Sequence, residues 1–331
     1  MAEGLSASID ARDDREANSV RSRIGSYLEL AKARLGALVV LTAFVGYVLG
    51  ARGRLSLWVA LAAVVGTALS SFGANILNQW WEAERDRLML RTRSRPLPAH
   101  RIKRRTALVL GLVTALAGLV VLYVGTNRLT TLLSLFVILL YILVYTPLKV
   151  RTPLNTVVGA VCGAVPPMMG WAAATGGLEP GAWILGGLLF VWQVPHFLAL
   201  AWLYREDYAR GGFRMLPAID LEGRLTARLA FIWAAALLPI TAALSVAGVT
   251  GGIFLGASQV AGLAFLALGW VFLRERSQQA ARRLFLASIL YLPVVLGLGV
   301  ADMGVRSASA VTTAGGVASA TPEAVTNLEG L

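Results

Sequence analysis

The sequence predicts an all-α fold, a polytopic transmembrane bundle of about nine spans. Three observations predict it. Of 331 residues, 57% are hydrophobic and only 15% are charged, against about 25% charged in ordinary soluble domains. The mean hydropathy is +0.68. The charges are also gathered, so that they divide the chain into apolar blocks. Most of these match or exceed the roughly 20 residues that cross a hydrocarbon layer at about 1.5 Å per residue.

The first block, 35–51, is short, but Arg34 and Arg52 flank it and their stems can snorkel to the interface. Blocks 55–81, 106–127, 129–148, 152–178 and 180–204 each suffice for one span. The 45-residue block 229–273 is too long for one crossing. Gly248-Val249-Thr250-Gly251-Gly252 in its middle marks a turn between two helices. Block 284–301 is the last. Around this domain, taken as 27–303, residues 1–26 read as a polar N-terminal segment. They carry several acids and no apolar run, which fits neither a signal nor a transit peptide, so the first span must insert the chain. Residues 304–331, mostly Ser, Ala, Thr, Gly and Val, read as a disordered tail. The single cysteine, Cys162, excludes an intrachain disulfide and reads as a small packing residue.

A net charge of +12 raises nucleic-acid binding as a question, and the placement of the basic residues answers it. Of 30, 26 fall before the first apolar block, Lys32 and Arg34 included, and in the connections 78–105, 149–151, 205–228 and 274–283. Only Arg52, Arg54, Arg128 and Arg306 fall on the other side. That is the positive-inside pattern, which sets the N-terminus in the cytoplasm and, with nine spans, the C-terminus outside. A multi-pass protein of the cell's inner (plasma) membrane is expected, with the lipid bilayer as partner and no nucleic acid.

Backbone groups in lipid must be satisfied internally, so chemistry is sought where polar residues stand at helix ends or inside spans. Asn78, Glu82 and Asp86 are four apart and share one face of a continuing helix. One amide and two carboxylates suit Mg²⁺, which takes few protein oxygens and completes its shell with substrate phosphate. Arg91 and Arg95 follow and can grip phosphate oxygens. A solvated, salt-bridged helix end accounts for the same charge run. Tyr145 and Lys149 form an i, i+4 pair at the next cytoplasmic boundary; phosphate binding and an interfacial aromatic belt with a positive-inside lysine explain it equally. Gln193 and His196 lie inside an apolar span, where a polar group is a functional candidate, although a lone histidine is also often a packing residue. His196 and Asp207 are eleven apart and project from about one face if Pro195 kinks the helix without ending it.

Taken together these segments resemble the UbiA superfamily of intramembrane prenyltransferases, and within it the haem-farnesylating branch. The resemblance covers roughly residues 32–217. Its carriers are Asn78, Glu82, Asp86, Met89, Arg91, Thr92, Arg95 and Pro96, then Tyr145, Thr146 and Lys149, then Asn155-Thr156 with Gly159, Gly163-Ala164, Pro166-Pro167 and Gly170-Trp171. Trp192-Gln193, Pro195-His196-Phe197, Asp207-Tyr208 and Arg214-Met215-Leu216-Pro217 complete it. The Trp192 to Phe197 and Pro166 to Trp171 runs favour the haem branch. Glu82 departs from the usual aspartate of the first motif, and Glu84 stands where another aspartate is common.

The resemblance implies that a farnesyl group passes from farnesyl diphosphate to a vinyl group of haem b, with water, giving haem O and pyrophosphate. It implies Mg²⁺ as cofactor, with Asn78, Glu82 and Asp86 holding one ion and Asp207 helping with a second. Lys149, Arg91 and Arg95 would bind phosphate. Tyr145, Arg151, Asn155, Trp192, Gln193, His196 and Tyr208 would complete the substrate sites, with Trp192 or Tyr145 facing the allylic cation and His196 as axial haem ligand or polar anchor. Terminal-oxidase biogenesis factors are the implied partners. Two rivals stand beside this: a UbiA-type enzyme that prenylates an aromatic ring, and a non-enzymatic membrane transporter or scaffold for oxidase assembly. The latter would favour charged pairs near the bilayer centre, which the sequence lacks.

Overall fold

The computed structural model describes residues 23–318, with side chains described to residue 303. Among these, nine helices are long and apolar enough to cross a membrane. They are α1 (Ala33–Ala51), α2 (Leu57–Asp86), α3 (Arg104–Gly125), α4 (Arg128–Leu148), α5 (Asn155–Thr175), α6 (Pro180–Leu203), α7 (Arg224–Val246), α8 (Gly252–Glu275) and α9 (Gln278–Ala318). Two short helices, Arg205–Arg210 and Leu216–Ile219, occupy the α6–α7 connection, and no strand occurs among the described residues. The chain is a polytopic helical membrane protein.

Local chemistry sets the helix ends. Ser56 caps α2 by accepting from Val59 N, and Asn127 caps α4 by accepting from Thr130 N at 2.9 Å. The expected turn after Val246 is present, with Gly248 at φ +71°, and it separates α7 from α8. Asp302 on α9 accepts from Gly251 N and Phe254 N at the start of α8, so a buried carboxylate meets that helix's positive end. Helix α2 runs five residues past its apolar block, and that extension carries Glu82 and Asp86 on regular helix. Helix α9 continues through residues 304–318, where a disordered tail was expected; 1–22 and 319–331 lie outside the described residues.

The helices pack α2 on α3, α1 on α5, and α6 against α7 and α9. The α1–α5 seam is unusually close. A Cβ at Gly170 would sit 1.7 Å from the Ala43 carbonyl oxygen, and one at Gly46 2.0 Å from that of Pro167, so only glycine admits this approach. Helix α5 runs unbroken through Pro166 and Pro167, and Trp171 beyond them is fully buried. Helices α6–α9 form the largest apolar core with Trp171 at its edge. Helices α1, α2, α4 and α5 instead surround a cavity.

Candidate active site

The cavity, about 330 Å³, opens among α1, α2, α4 and α5, with α6 on one side. At the end of the cavity nearest the α2–α3 connection, successive turns of α2 present Asn78, Glu82 and Asp86, each buried. Each meets a cation from a different element. Asn78 Oδ1 accepts from Lys32 Nζ at 2.8 Å, while its Nδ2 donates to Thr146 Oγ1 at 2.9 Å. Glu82 Oε1 pairs with Lys149 Nζ at 2.8 Å, and Asp86 Oδ2 with the Arg95 guanidinium at 2.7 Å. The i, i+4 spacing has thus built a ladder of three oxygen donors facing three cations, and the bland reading of a solvated loop fails because the acids are buried.

The environment explains the charge states. Burial alone would lower the pKa of Lys149, but Glu82 at 2.8 Å, with Tyr145 and Tyr141 beside it, holds the ammonium above its ordinary value. Lys32 lacks such a carboxylate contact. Burial first, then repulsion from Arg95 and Lys149, pushes it down to about 7. Lys32 was missed in the sequence because one lysine just before a span reads as a positive-inside anchor.

Other expected residues take more specific places. Arg91 lines the cavity with its guanidinium 5.1 Å over Tyr204 and 5.6 Å over Tyr208, and its side chain donates to the Tyr208 hydroxyl at 3.4 Å. Tyr145 lines the wall under Lys149, whose ammonium stands 4.6 Å over its ring. It stacks on Tyr141, four residues earlier and 5.2 Å away, within a π-helical turn of α4 at residues 140–145. Such turns recur at functional sites. Tyr141, which also lines the cavity, was missed in the sequence because a tyrosine in an apolar span reads as packing, although it stands four residues before Tyr145 on the same helical face. Gln193 reaches the cavity across Gly163 and donates to Leu189 O at 2.9 Å.

Five expected residues stand elsewhere. Asp207 does not line the cavity: its carboxylate accepts from Leu90 N at 2.7 Å and Arg91 N at 3.1 Å and so clamps the loop that carries Arg91. Asn155 knits the α4–α5 and α6–α7 connections, donating to Thr152 O and Arg214 O at 2.7 and 3.2 Å. Trp192 and His196 face α9, where Trp192 Nε1 donates to Ser288 O at 2.9 Å and His196 Nδ1 lies 2.7 Å from Ser288 Oγ. The expected shared face of His196 and Asp207 does not form: α6 continues through Pro195 but ends at Leu203, and Asp207 sits on the next short helix. Trp192 therefore does not face the cavity in which an allylic cation would form; Tyr141 and Tyr145 do. Arg151 lines a smaller neighbouring groove of about 160 Å³, beside Trp81, Arg85 and the far side of Glu82.

The donor set fits Mg²⁺. No cluster of three His, Cys, Asp or Glu side chains able to hold a metal occurs among the described residues. Two carboxylates and an amide are available, and Asp86 Oδ1 is buried without a hydrogen-bond partner. That is a hard, oxygen-only set which leaves coordination positions for phosphate.

Known proteins agree with this geometry. The UbiA prenyltransferase family matches residues 39–292. A protoheme IX farnesyltransferase of Solibacter usitatus (strain Ellin6076) is 40% identical over 285 residues, 83% of this chain and 98% of its own. One from Opitutus terrae (strain DSM 11246 / JCM 15787 / PB90-1) is 41% identical over 282 residues, 85% of this chain and 95% of its own. A UbiA homologue from Archaeoglobus fulgidus, solved bound to DMAPP and Mg²⁺, superposes with a TM-score of 0.62 at 17% identity, covering 85% of this chain and 99% of that one, a likeness of fold. With the fold, the cavity and the ladder of Asn78, Glu82 and Asp86 in place, the chain belongs to the UbiA prenyltransferase family.

Proposed function

We propose that this chain transfers the farnesyl group of farnesyl diphosphate to a vinyl group of haem b, with water, giving haem O and pyrophosphate. The observation that carries the reading is the ladder of three oxygen donors and three cations at the head of a long apolar cavity. The substrates are those named by relatives that match most of the chain.

Two of the three pairs, Glu82 with Lys149 and Asp86 with Arg95, are ion pairs on buried carboxylates, and such pairs contribute little to stability because desolvation offsets their attraction. The pair of Asn78 with Lys32 is an amide–ammonium hydrogen bond. All three are well suited to exchange. A Mg²⁺-diphosphate brings charges of both signs, so Asn78, Glu82 and Asp86 would take the metal while Lys149, Arg95 and Lys32 take phosphate oxygens, with no buried charge left unpaired. The ion would supply Lewis-acid stabilisation of the charge that gathers as the allylic C–O bond breaks. Lys149, held protonated by its surroundings, would neutralise the departing diphosphate. The stacked rings of Tyr141 and Tyr145 would face the allylic cation. Arg91, fixed by Tyr204, Tyr208 and the Asp207 clamp, would close the phosphate end. Asp207 would serve a second ion only by giving up its bonds to Leu90 and Arg91, so its role here is positioning. His196 serves as the polar anchor between α6 and α9.

Incubation of the purified protein with haem b, farnesyl diphosphate and Mg²⁺ tests the reading. Mass analysis should show haem gaining a farnesyl group and a hydroxyl across one vinyl group; prenylation of a hydroxybenzoate in its place would make the chain an aromatic prenyltransferase, and no product would leave a non-catalytic assembly factor. The distribution of basic residues supports an inner-membrane protein with a cytoplasmic N-terminus, and haem O as product points to terminal-oxidase biogenesis as the consumer. Reporter fusions after Arg95 and Gly212 should read as cytoplasmic and one after Gly177 as external; an external signal at Arg95 would overturn that orientation.

A further inference from the structure

We propose that Thr67, Ser134 and Met169 form a floor that limits the prenyl chain to farnesyl length. This inference rests on the donor-site reading above. Three helices measure the cavity independently. On α2 its lining runs from the ladder down to Thr67, eleven residues below Asn78 and about 16 Å along the axis. On α4 it runs from Tyr145, under Lys149, to Ser134, again eleven residues and, with the flatter π-turn at 140–145, about 15 Å away. On α5, which runs the other way, it extends from Gly159 to Met169, ten residues and about 15 Å. All three stop at the same depth.

The floor is closed by packing. Thr130 Oγ1 of α4 donates to Met169 O of α5 at 3.4 Å, and Met169 sits on a buried cluster with Leu122 and Val165. Thr67 and Ser134 are 3% and 2% exposed, so each is a small side chain where a larger one would reduce the depth. At the advance per bond of an extended chain, farnesyl spans roughly 13 Å, geranyl roughly 8 Å and geranylgeranyl roughly 18 Å. A depth of about 16 Å accepts the first two and excludes the third, and only farnesyl fills it. Because a single methylene in an apolar pocket changes affinity about tenfold or more, the floor is a specificity device.

The test measures binding of geranyl, farnesyl and geranylgeranyl thiolodiphosphates, which resist ionisation, to the purified full-length protein in Mg²⁺ by titration calorimetry. The unaltered protein should prefer farnesyl. Ser134→Leu, and more mildly Ser134→Val, should weaken farnesyl about tenfold relative to geranyl. Met169→Ala should act oppositely and bring geranylgeranyl within about threefold of farnesyl. The opposed directions separate a moved floor from a damaged fold. Equal affinity of the unaltered protein for all three analogues, or a uniform change across them in the variants, would overturn the floor while leaving the donor site standing. Failure of the unaltered protein to bind any of them would overturn the donor-site reading and the floor with it.

Discussion

Two regions of this chain carry polar residues where apolar ones dominate, and they differ in what surrounds them. At the cavity mouth, Asn78, Glu82 and Asp86 meet Lys32, Lys149 and Arg95, contributed by four separate parts of the chain. On α6, Gln193 turns to the cavity while Trp192 and His196, one residue before it and three after, turn to Ser288 of α9. A polar residue in a membrane span marks function only when other elements converge on it. Where its partner is one serine of a neighbouring helix, packing is explanation enough.

The comparison breaks most readily at Asp86. Asp86→Asn should lower turnover by about a thousandfold while the protein still accumulates in the membrane, and chelation of divalent ions should abolish turnover. Unchanged activity in both Asp86→Asn and Glu82→Gln would remove the metal ligands from the mouth. Lys149→Met should cost on the order of a hundredfold in kcat/KM for the prenyl diphosphate, with haem binding intact. An effect confined to haem would move Lys149 to the acceptor side.

Asp207→Asn sharpens the distinction between touching and positioning. Loss of the charged clamp on Leu90 and Arg91 should cost about tenfold, mainly in KM for the diphosphate, and should expose the 87–103 loop to limited proteolysis. A loss of kcat with an unaltered loop would instead place Asp207 on a metal. The smallest effect is expected from His196→Ala: donor affinity should change less than twofold, the haem absorption spectrum should stay as in the unaltered protein, and stability should fall by about 1 kcal/mol. A shifted or lost haem spectrum would make His196 an iron ligand and bring the acceptor to the α6–α9 side.

Much of this was legible in the sequence because its cause is local. Apolar block length gave nine spans, glycines at 248, 251 and 252 gave the turn between α7 and α8, and a period of four put Asn78, Glu82 and Asp86 on one face. The residues that escaped depend on tertiary partners. Lys32 becomes a site residue only because α1 brings it to Asn78, and Tyr141 only because α2 and α5 leave a cavity beside its face of α4. The paired prolines and Gly170-Trp171, read as family markers, prove to be the close seam between α1 and α5, a steric fact that no spacing within α5 alone expresses.

The central claim is that the three pairs at the mouth open to take a Mg²⁺-diphosphate, and titration of farnesyl thiolodiphosphate with and without Mg²⁺ measures it most directly. The unaltered protein should bind only with Mg²⁺ present, and the double variant Glu82→Gln/Asp86→Asn should lose that dependence together with most of its affinity. Tight binding without Mg²⁺, equal in the unaltered protein and the double variant, would contradict it.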